Sequence, residues 1–354
     1  MDCGLWTEIV SFGKAKPAPM KKILSCLLLM HLLACAPNRY VAAYNKISTE
    51  RFAAGKATRE KIAKGIRWYA WLGHDQTLQS NQSINVVDID LRKAPVRFRF
   101  GWFNAPGQRN TIGFVADTMG AVAAINSGYF ENLKDGGHVS FHKSNGKPDQ
   151  TITVPPGHVR HWKHQGAFVQ TGEKSFRITK GDKATYETLP EANAVSSAPV
   201  LIFNGEPVGK SFVRNKNLDT TGVEREHPER HQGGKGARVA YALTSDNHLL
   251  WIAVDGRAKE AAGINAEQLT DFISRYYPAT DAINMDGGGS VTLWLRGKTP
   301  TGVVNYPSDD RKFDHLGQRK VGMGLFLVPA KESVRKRMKK LKVALDPDVK
   351  DYRD

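Results

Sequence analysis

The sequence predicts an α+β fold of mixed, largely antiparallel sheets with a few flanking helices. Strand-like stretches outnumber helical ones, and they do not alternate with helices as a doubly wound parallel sheet requires. One stretch, Val96 to Trp102, sets Val96, Phe98, Phe100 and Trp102 against Arg97, Arg99 and Gly101. That alternation marks a strand with one wet face, the habit of antiparallel sheets. No repeat occurs at solenoid spacing.

Residues 36–61 are polar with scattered charge and read as a tether carrying a short helix, with compact structure beginning near Ile62. Ile84, Val86, Ile89 and Leu91 mark a strand within residues 83–91, expected to pair with the alternating stretch at 96–102. Further strands are expected at 121–125, 167–170, 249–254, 282–285, 291–295 and 321–328. Asn265 is an N-cap candidate, and Leu269, Phe272, Ile273 and Tyr276 then fall on one helix face. In the tail, residues 331–354, Val334, Met338 and Leu341 stand at i, i+4 and i+7 among many lysines and arginines. They suggest a short amphipathic helix that either lies on anionic membrane, packs on the domain or is a solvated end.

The beginning of the chain reads as a targeting device. Met20, Lys21 and Lys22 precede an apolar run from Ile23 to Ala34, too short for a membrane span and suited to a secretory signal. The run ends in Leu32-Leu33-Ala34-Cys35, which looks like a bacterial lipobox, with Cys35 lipidated and Met20 as the true start. Ala36 after the cysteine points to outer-membrane sorting in a Gram-negative cell. The other cysteines, Cys3 and Cys26, lie upstream, so no disulfide or cysteine-ligated zinc is expected in the body.

The 354 residues include 51 basic and 35 acidic ones, for a net charge of +16, and 40% are hydrophobic. This composition excludes wholesale disorder and a collagen-like or coiled-coil rod. With export expected and no nucleic-acid motif present, the positive charge points to envelope anions and not to nucleic acid.

Two motifs carry chemistry. Asp286-Gly287-Gly288-Gly289-Ser290 sits between two expected strands. Three glycines weaken a strand, and they are used where the backbone must bend or approach a ligand. Their amides can form an anion-binding concavity, with the Ser290 hydroxyl beside it. A P-loop is excluded, because its Lys-Ser/Thr pair is absent and a strand follows. The alternative is a plain glycine hairpin with Asp286 as turn residue. The second motif is Asn126-Ser127-Gly128-Tyr129-Phe130. Asn126 suits sugar hydroxyls and Tyr129 a pyranose face; alternatively this is a turn with core aromatics.

These motifs, together with Asp255-Gly256-Arg257 and Ile283-Asn284-Met285 ahead of Asp286, resemble the phosphodiester glycosidase family in order and spacing. That family includes N-acetylglucosamine-1-phosphodiester α-N-acetylglucosaminidase and bacterial proteins of exopolysaccharide-biosynthesis type. Ala237-Arg238-Val239-Ala240 resembles its Pro-Arg-Thr-Ala segment, and Ser197 to Leu201 its Gly-Gly-Pro-x-Leu segment. Val303-Val304-Asn305 and residues 319–328 resemble its closing portion. The resemblance covers roughly residues 62–330 and implies a single catalytic domain that removes a sugar from a sugar-1-phosphodiester.

Such a reaction passes through an oxocarbenium-like state. A phosphodiester leaves with little need of protonation, so anion stabilisation can replace a strong general acid. The resemblance implies that Asp286 is the base or nucleophile. Gly287, Gly288, Gly289 and Ser290 would hold phosphate, Arg238 would bind it bidentately, and Asn126 would hold a sugar hydroxyl. Asp255 and Arg257 are further substrate-binding candidates; their Asp-Gly-Arg turn is otherwise a surface corner. No metal site and no cofactor are assigned, although a divalent cation beside Asp286 is compatible with the reading. His158, His161 and His164 have a spacing a metal can use, yet no nearby carboxylate accompanies them, and they read as a basic solvated loop. The Gly- and Lys-rich segment from His227 to Arg238 is expected to cover the site. The competing readings are a noncatalytic lipoprotein that binds phosphorylated polysaccharide, and a phosphodiesterase attacking phosphorus.

Overall fold

The computed structural model describes residues 38–101, 109–131, 139–148, 154, 156–209 and 226–330. The segment that reads as a secretory signal, with Cys35, and the basic tail lie outside them. The chain divides into Met1–Ala42, of which only residues 38–42 are described, and a compact unit Ala43–Asp354, the subject below. No helix among the described residues is long and apolar enough to cross a membrane.

Helix α1 (Arg39–Glu50) is followed by β1 (Gly55–Ala63), β2 (Ile66–Asp75), β3 (Ser80–Asp90) and β4 (Val96–Phe100). After α2 (Ile112–Met119) come β5 (Ala123–Asn126), β6 (His142–Ser144), β7 (Lys147–Pro148), β8 (Gly166–Gly172) and β9 (Ser175–Lys180). Helix α3 (Lys183–Glu187) leads to β10 (Asn193–Ser197) and β11 (Val200–Ile202), and α4 (Pro228–Gly233) to β12 (Arg238–Thr244) and β13 (His248–Val254). Helix α5 (Ala266–Tyr276) precedes β14 (Ala279–Asn284), β15 (Leu293–Leu295) and β16 (Gly324–Pro329). The strands form a seven-stranded sheet ordered β1-β2-β3-β13-β12-β14-β11, a five-stranded sheet β7-β6-β10-β8-β9 and a four-stranded sheet β15-β5-β16-β4. Every ladder between them is antiparallel. The α+β expectation holds.

Two local expectations are corrected. Residues 43–61 are no tether: β1 pairs along nearly its whole length with β2. Ile47 is fully buried, and the Trp71 indole donates to the Ser48 hydroxyl at 3.0 Å. The segment reads as polar because β1 is an edge strand with charged residues outward, a common protection of sheet edges. Nor do β3 and β4 pair with each other. β3 lies between β2 and β13, whereas β4 closes the four-stranded sheet against β16. Alternating burial does hold for β4, with Arg97 and Arg99 exposed.

The core lies between the sheets, where Val87, Tyr241, Trp251, Ile283, Leu293 and Leu325 belong to one buried cluster. Phe168 stacks on Phe176 at 4.9 Å and meets Tyr241 edge-on at 5.2 Å. Helix α5 starts as expected at Asn265, whose side chain accepts from Gln268 N at 2.8 Å while the Gln268 side chain accepts from Asn265 N at 3.0 Å. It buries Leu269, Phe272 and Ile273, each stabilising the fold by about 1.5–3 kcal/mol.

The site is set where strands of two sheets end together. β14 leaves the seven-stranded sheet at Asn284, and the chain enters the four-stranded sheet at β15. Residues 285–292 make that crossing. β12 begins beside it, with Ala240 paired to Asn284, and β5 ends beside it at Asn126.

Candidate active site

The glycine run bends as its composition requires. Gly288 has φ +60°, and a Cβ there would stand 2.6 Å from Arg257 Nη2. A Cβ on Gly287 would meet the Ala237 carbonyl oxygen at 2.6 Å. One on Gly289 would meet the Asp309 carboxylate at 2.6 Å. Main chain pins the bend, with Asp286 N donating to Ser127 O at 2.9 Å and Gly288 N to Ala237 O at 2.9 Å.

The run opens on a cavity of about 530 Å³. Asp286, Gly287, Gly288 and Gly289 form one wall with Arg257 and Arg319. Tyr129, Arg160, Lys163 and Glu226 form another, and residues 234–238 after α4 close a third side. The expected covering segment is therefore in place, and Asp286 and Arg238 line one cleft.

Asp286 is half-buried. Burial raises its carboxyl to about 6, against the lowering pull of the Ser290 hydroxyl, Lys163, Arg319 and the Gly287 amide. It thus changes charge just below neutrality, the range in which a base or nucleophile works. Ser290 serves this carboxylate, and it also receives Arg319 Nη1 at 3.5 Å. Arg319 is held from behind by Asp309, whose Oδ1 accepts from Nε at 2.8 Å and from Nη2.

Several assigned roles change. Arg238 is buried, and its guanidinium is engaged by the protein: Nε donates to Ile264 O at 3.1 Å and Nη1 to Gln232 Oε1 at 3.0 Å. Nη2 donates to His231 O at 2.9 Å and Gly234 O at 2.8 Å. Four of its five N–H groups are used, so it clamps the covering segment and has no fork left for bidentate phosphate binding. The cations facing the glycine run are Arg257 and Arg319. Asn126 holds no position for a sugar: it is buried, its Nδ2 donates to Asp286 O at 2.8 Å, and its Oδ1 accepts from Thr292 N at 3.0 Å.

Asp255 is likewise internal. It accepts from Ser83 Oγ at 2.6 Å, Asn305 Nδ2 at 2.8 Å and Tyr306 N at 3.0 Å. Burial raises its carboxyl to about 6 despite these donors. Through Asn305, which accepts from Leu293 N at 2.7 Å, it anchors the strand after the glycine run. Of the glycine amides, that of Gly287 serves the Asp286 carboxylate and that of Gly288 serves Ala237, so the run is a shaped bend more than an open row of donors.

Tyr129 does line the cavity, but its ring is already packed. Lys163 Nζ lies 4.7 Å from its centroid, and Trp162 and His231 meet it edge-on at 5.9 Å. Its hydroxyl donates to Ala198 O at 2.9 Å and accepts from Asn284 Nδ2 at 3.1 Å.

Sequence reading missed Lys163, Arg160 and Glu226. Lys163 lies in the histidine-rich stretch that reads as solvated, yet it is 5% exposed within a short 3₁₀ turn, residues 161–164. Trp162 beside it was the one available sign of burial. His164 is also buried, 3.1 Å from Ser196 Oγ, and burial lowers its pKa to about 4. Among the described residues no group of three His, Cys, Asp or Glu side chains is placed to hold a metal ion. Asp286 itself lies among cations, an unfavourable setting for a further one.

The sheet crossing, the glycine bend and Asp286 thus meet in one cavity lined mainly by cations. Residues 119–328 match the sequence model of the family described as phosphodiester glycosidase, more than half of the chain, so the chain belongs to the phosphodiester glycosidase family. A comparison with curated proteins returns no match.

Among solved structures, the chain is similar in fold to the zebrafish N-acetylglucosamine-1-phosphodiester α-N-acetylglucosaminidase catalytic domain auto-inhibited by its pro-peptide. The TM-score is 0.55 at 19% identity, over 77% of this chain and 87% of that one. It is also similar to a hypothetical protein from Synechocystis, at TM-score 0.52 and 14% identity, over 77% of this chain and 64% of that one.

Proposed function

We propose that the protein is a hydrolase that cleaves the bond between a sugar and the phosphate of a sugar-1-phosphodiester, a GlcNAc-1-phosphodiester or a close analogue. The observation that carries this reading is the Asp286 carboxyl, raised to about 6 inside a cavity whose other charged lining groups are mainly cations. A pure phosphate binder gains nothing from a carboxylate beside its anion. A glycosidase needs one for attack at the anomeric carbon or for activating water. Arg319 and Arg257 supply the charge that lets the phosphate depart without a strong general acid.

The chain is further proposed to be exported and held at an envelope membrane, in a Gram-negative cell the outer one, by lipid on Cys35. The support is the apolar run at 23–34 and the residues that end it. Labelling with radioactive palmitate, lost in Cys35→Ser, tests the anchor.

Hydrolysis of sugar-1-phosphodiesters by the purified protein in ¹⁸O water tests the reaction. Label in the sugar is expected. Label in the phosphate makes the protein a phosphodiesterase, and no turnover across a panel of sugars makes it a binding protein.

A further inference from the structure

The cavity holds more positive charge than one phosphodiester requires. A phosphodiester carries a single negative charge, and the glycine-run wall already offers Arg319 and Arg257. The facing wall has its own pair. Lys163 Nζ lies 2.5 Å and Arg160 Nε 3.5 Å from the same atom, Glu226 Oε2. Two cations converging on one oxygen is the coordination a phosphate or carboxylate oxygen receives from an anion site.

We propose that Arg160 and Lys163 form a second oxyanion subsite, for a phosphate or carboxylate that the substrate carries away from its scissile phosphodiester, with the Glu226 carboxylate as its occupant in the free protein. This rests on the proposed reading of the substrate and adds that the substrate is at least a dianion.

The burial pattern makes Glu226 exchangeable but not dispensable. The Lys163 side chain is 7% exposed, and a buried ammonium left unpaired is strongly destabilising, so an anion must remain beside it. The Arg160 and Glu226 side chains are 28% and 24% exposed and face the cavity. The Glu226 main chain is fixed, its carbonyl accepting from Trp162 Nε1 at 2.8 Å, so rotation of the side chain alone vacates the position. Arg160 stays oriented by its other partner, Glu131. Burial opposes ionisation of Glu226, but Lys163, His231 and Arg160 outweigh it and hold the carboxyl below its usual range, so it competes as an anion at neutral pH.

The test is anion binding by calorimetry, with no turnover involved. Dimethyl phosphate, propane-1,3-diyl bis(methyl phosphate) and methyl 3-carboxypropyl phosphate, which carry one, two and two negative charges, are titrated into the full-length protein, Glu226→Gln and Arg160→Gln. Both dianions are expected to bind the wild type more tightly than dimethyl phosphate. Removing the internal competitor in Glu226→Gln widens that preference by about tenfold, and Arg160→Gln closes it. Which dianion gains more identifies the second group as phosphate or carboxylate.

As a second readout, inorganic phosphate should raise the thermal midpoint of Glu226→Ala by several degrees more than that of the wild type. Should the glutamate variants fail to fold, Arg160→Gln alone still reads the preference. An unchanged preference in every folded variant overturns the subsite. A protein that shows the preference but hydrolyses no sugar-1-phosphodiester overturns the proposed reaction and leaves the subsite standing.

Discussion

The Asn126 side chain and the Asp286 main chain are joined across two sheets: Nδ2 of Asn126 donates to the Asp286 carbonyl oxygen at 2.8 Å. The same amide accepts from Thr292 N at 3.0 Å, so one side chain spans both ends of the glycine run. A residue at the end of β5 thereby fixes where β14 delivers its carboxylate. Asn126→Ala leaves two buried main-chain groups without partners, at about 1–3 kcal/mol each. The expected result is a lower thermal midpoint together with a fall in kcat, the KM changing less. A loss confined to KM would return Asn126 to the role of sugar ligand.

Asp286→Asn keeps the shape of the bend and removes the ionisable group. It should fold with near-native stability and lose about 10²–10⁴ in kcat. Circular dichroism and turnover on the same preparation decide the matter, and full activity would remove Asp286 from the mechanism.

The acid limb of kcat/KM should lie near pH 6, where Asp286 gains its proton. The ionised carboxylate is the active form, so activity rises with pH through this range. Arg319 is one of the charges that lower the Asp286 pKa. Arg319→Gln removes that pull, favours the protonated acid and moves the limb to higher pH, while Asp309→Asn, which strengthens the net positive field, moves it lower. A limb that stays in place in both variants assigns the titration to another group.

Element identity was legible in the sequence where one residue pattern dictates one conformation. The capping pair Asn265 and Gln268 and the apolar face of α5 are of this kind, as is the alternation along β4. Not all pairing partners were, because β13 beside β3 and β16 beside β4 lie more than 150 residues away along the chain, and no local pattern encodes such distance. At the site, the sharp bend at the glycine run beside Asp286 could be read, since three adjacent glycines weaken a strand and favour a turn or close approach. The division of labour among polar residues could not. Asn126, Asp255 and Arg238 have the chemistry of ligands, and only their buried partners show that they hold the scaffold. Lys163 posed the converse problem: apart from Trp162 its neighbours in sequence are polar, and its burial comes from packing against Tyr129 and Glu226.

Arg238→Lys separates the structural from the ligand-binding role of that residue. Lysine offers an ammonium that cannot reproduce the spread of a guanidinium reaching the carbonyls of His231, Gly234 and Ile264. Two or more buried acceptors then lose their partners, at about 1–3 kcal/mol each. The midpoint should fall by roughly 2–4 °C for each kcal/mol lost. The segment Arg238 clamps also forms one side of the cavity, so protease cleavage within residues 226–237 should accelerate before global unfolding. The expected signature is therefore a lowered midpoint and faster nicking at that segment, with kcat falling as the cover loosens. An unchanged midpoint and nicking rate, accompanied by a large rise in KM for the phosphodiester, would instead place the Arg238 charge on the substrate.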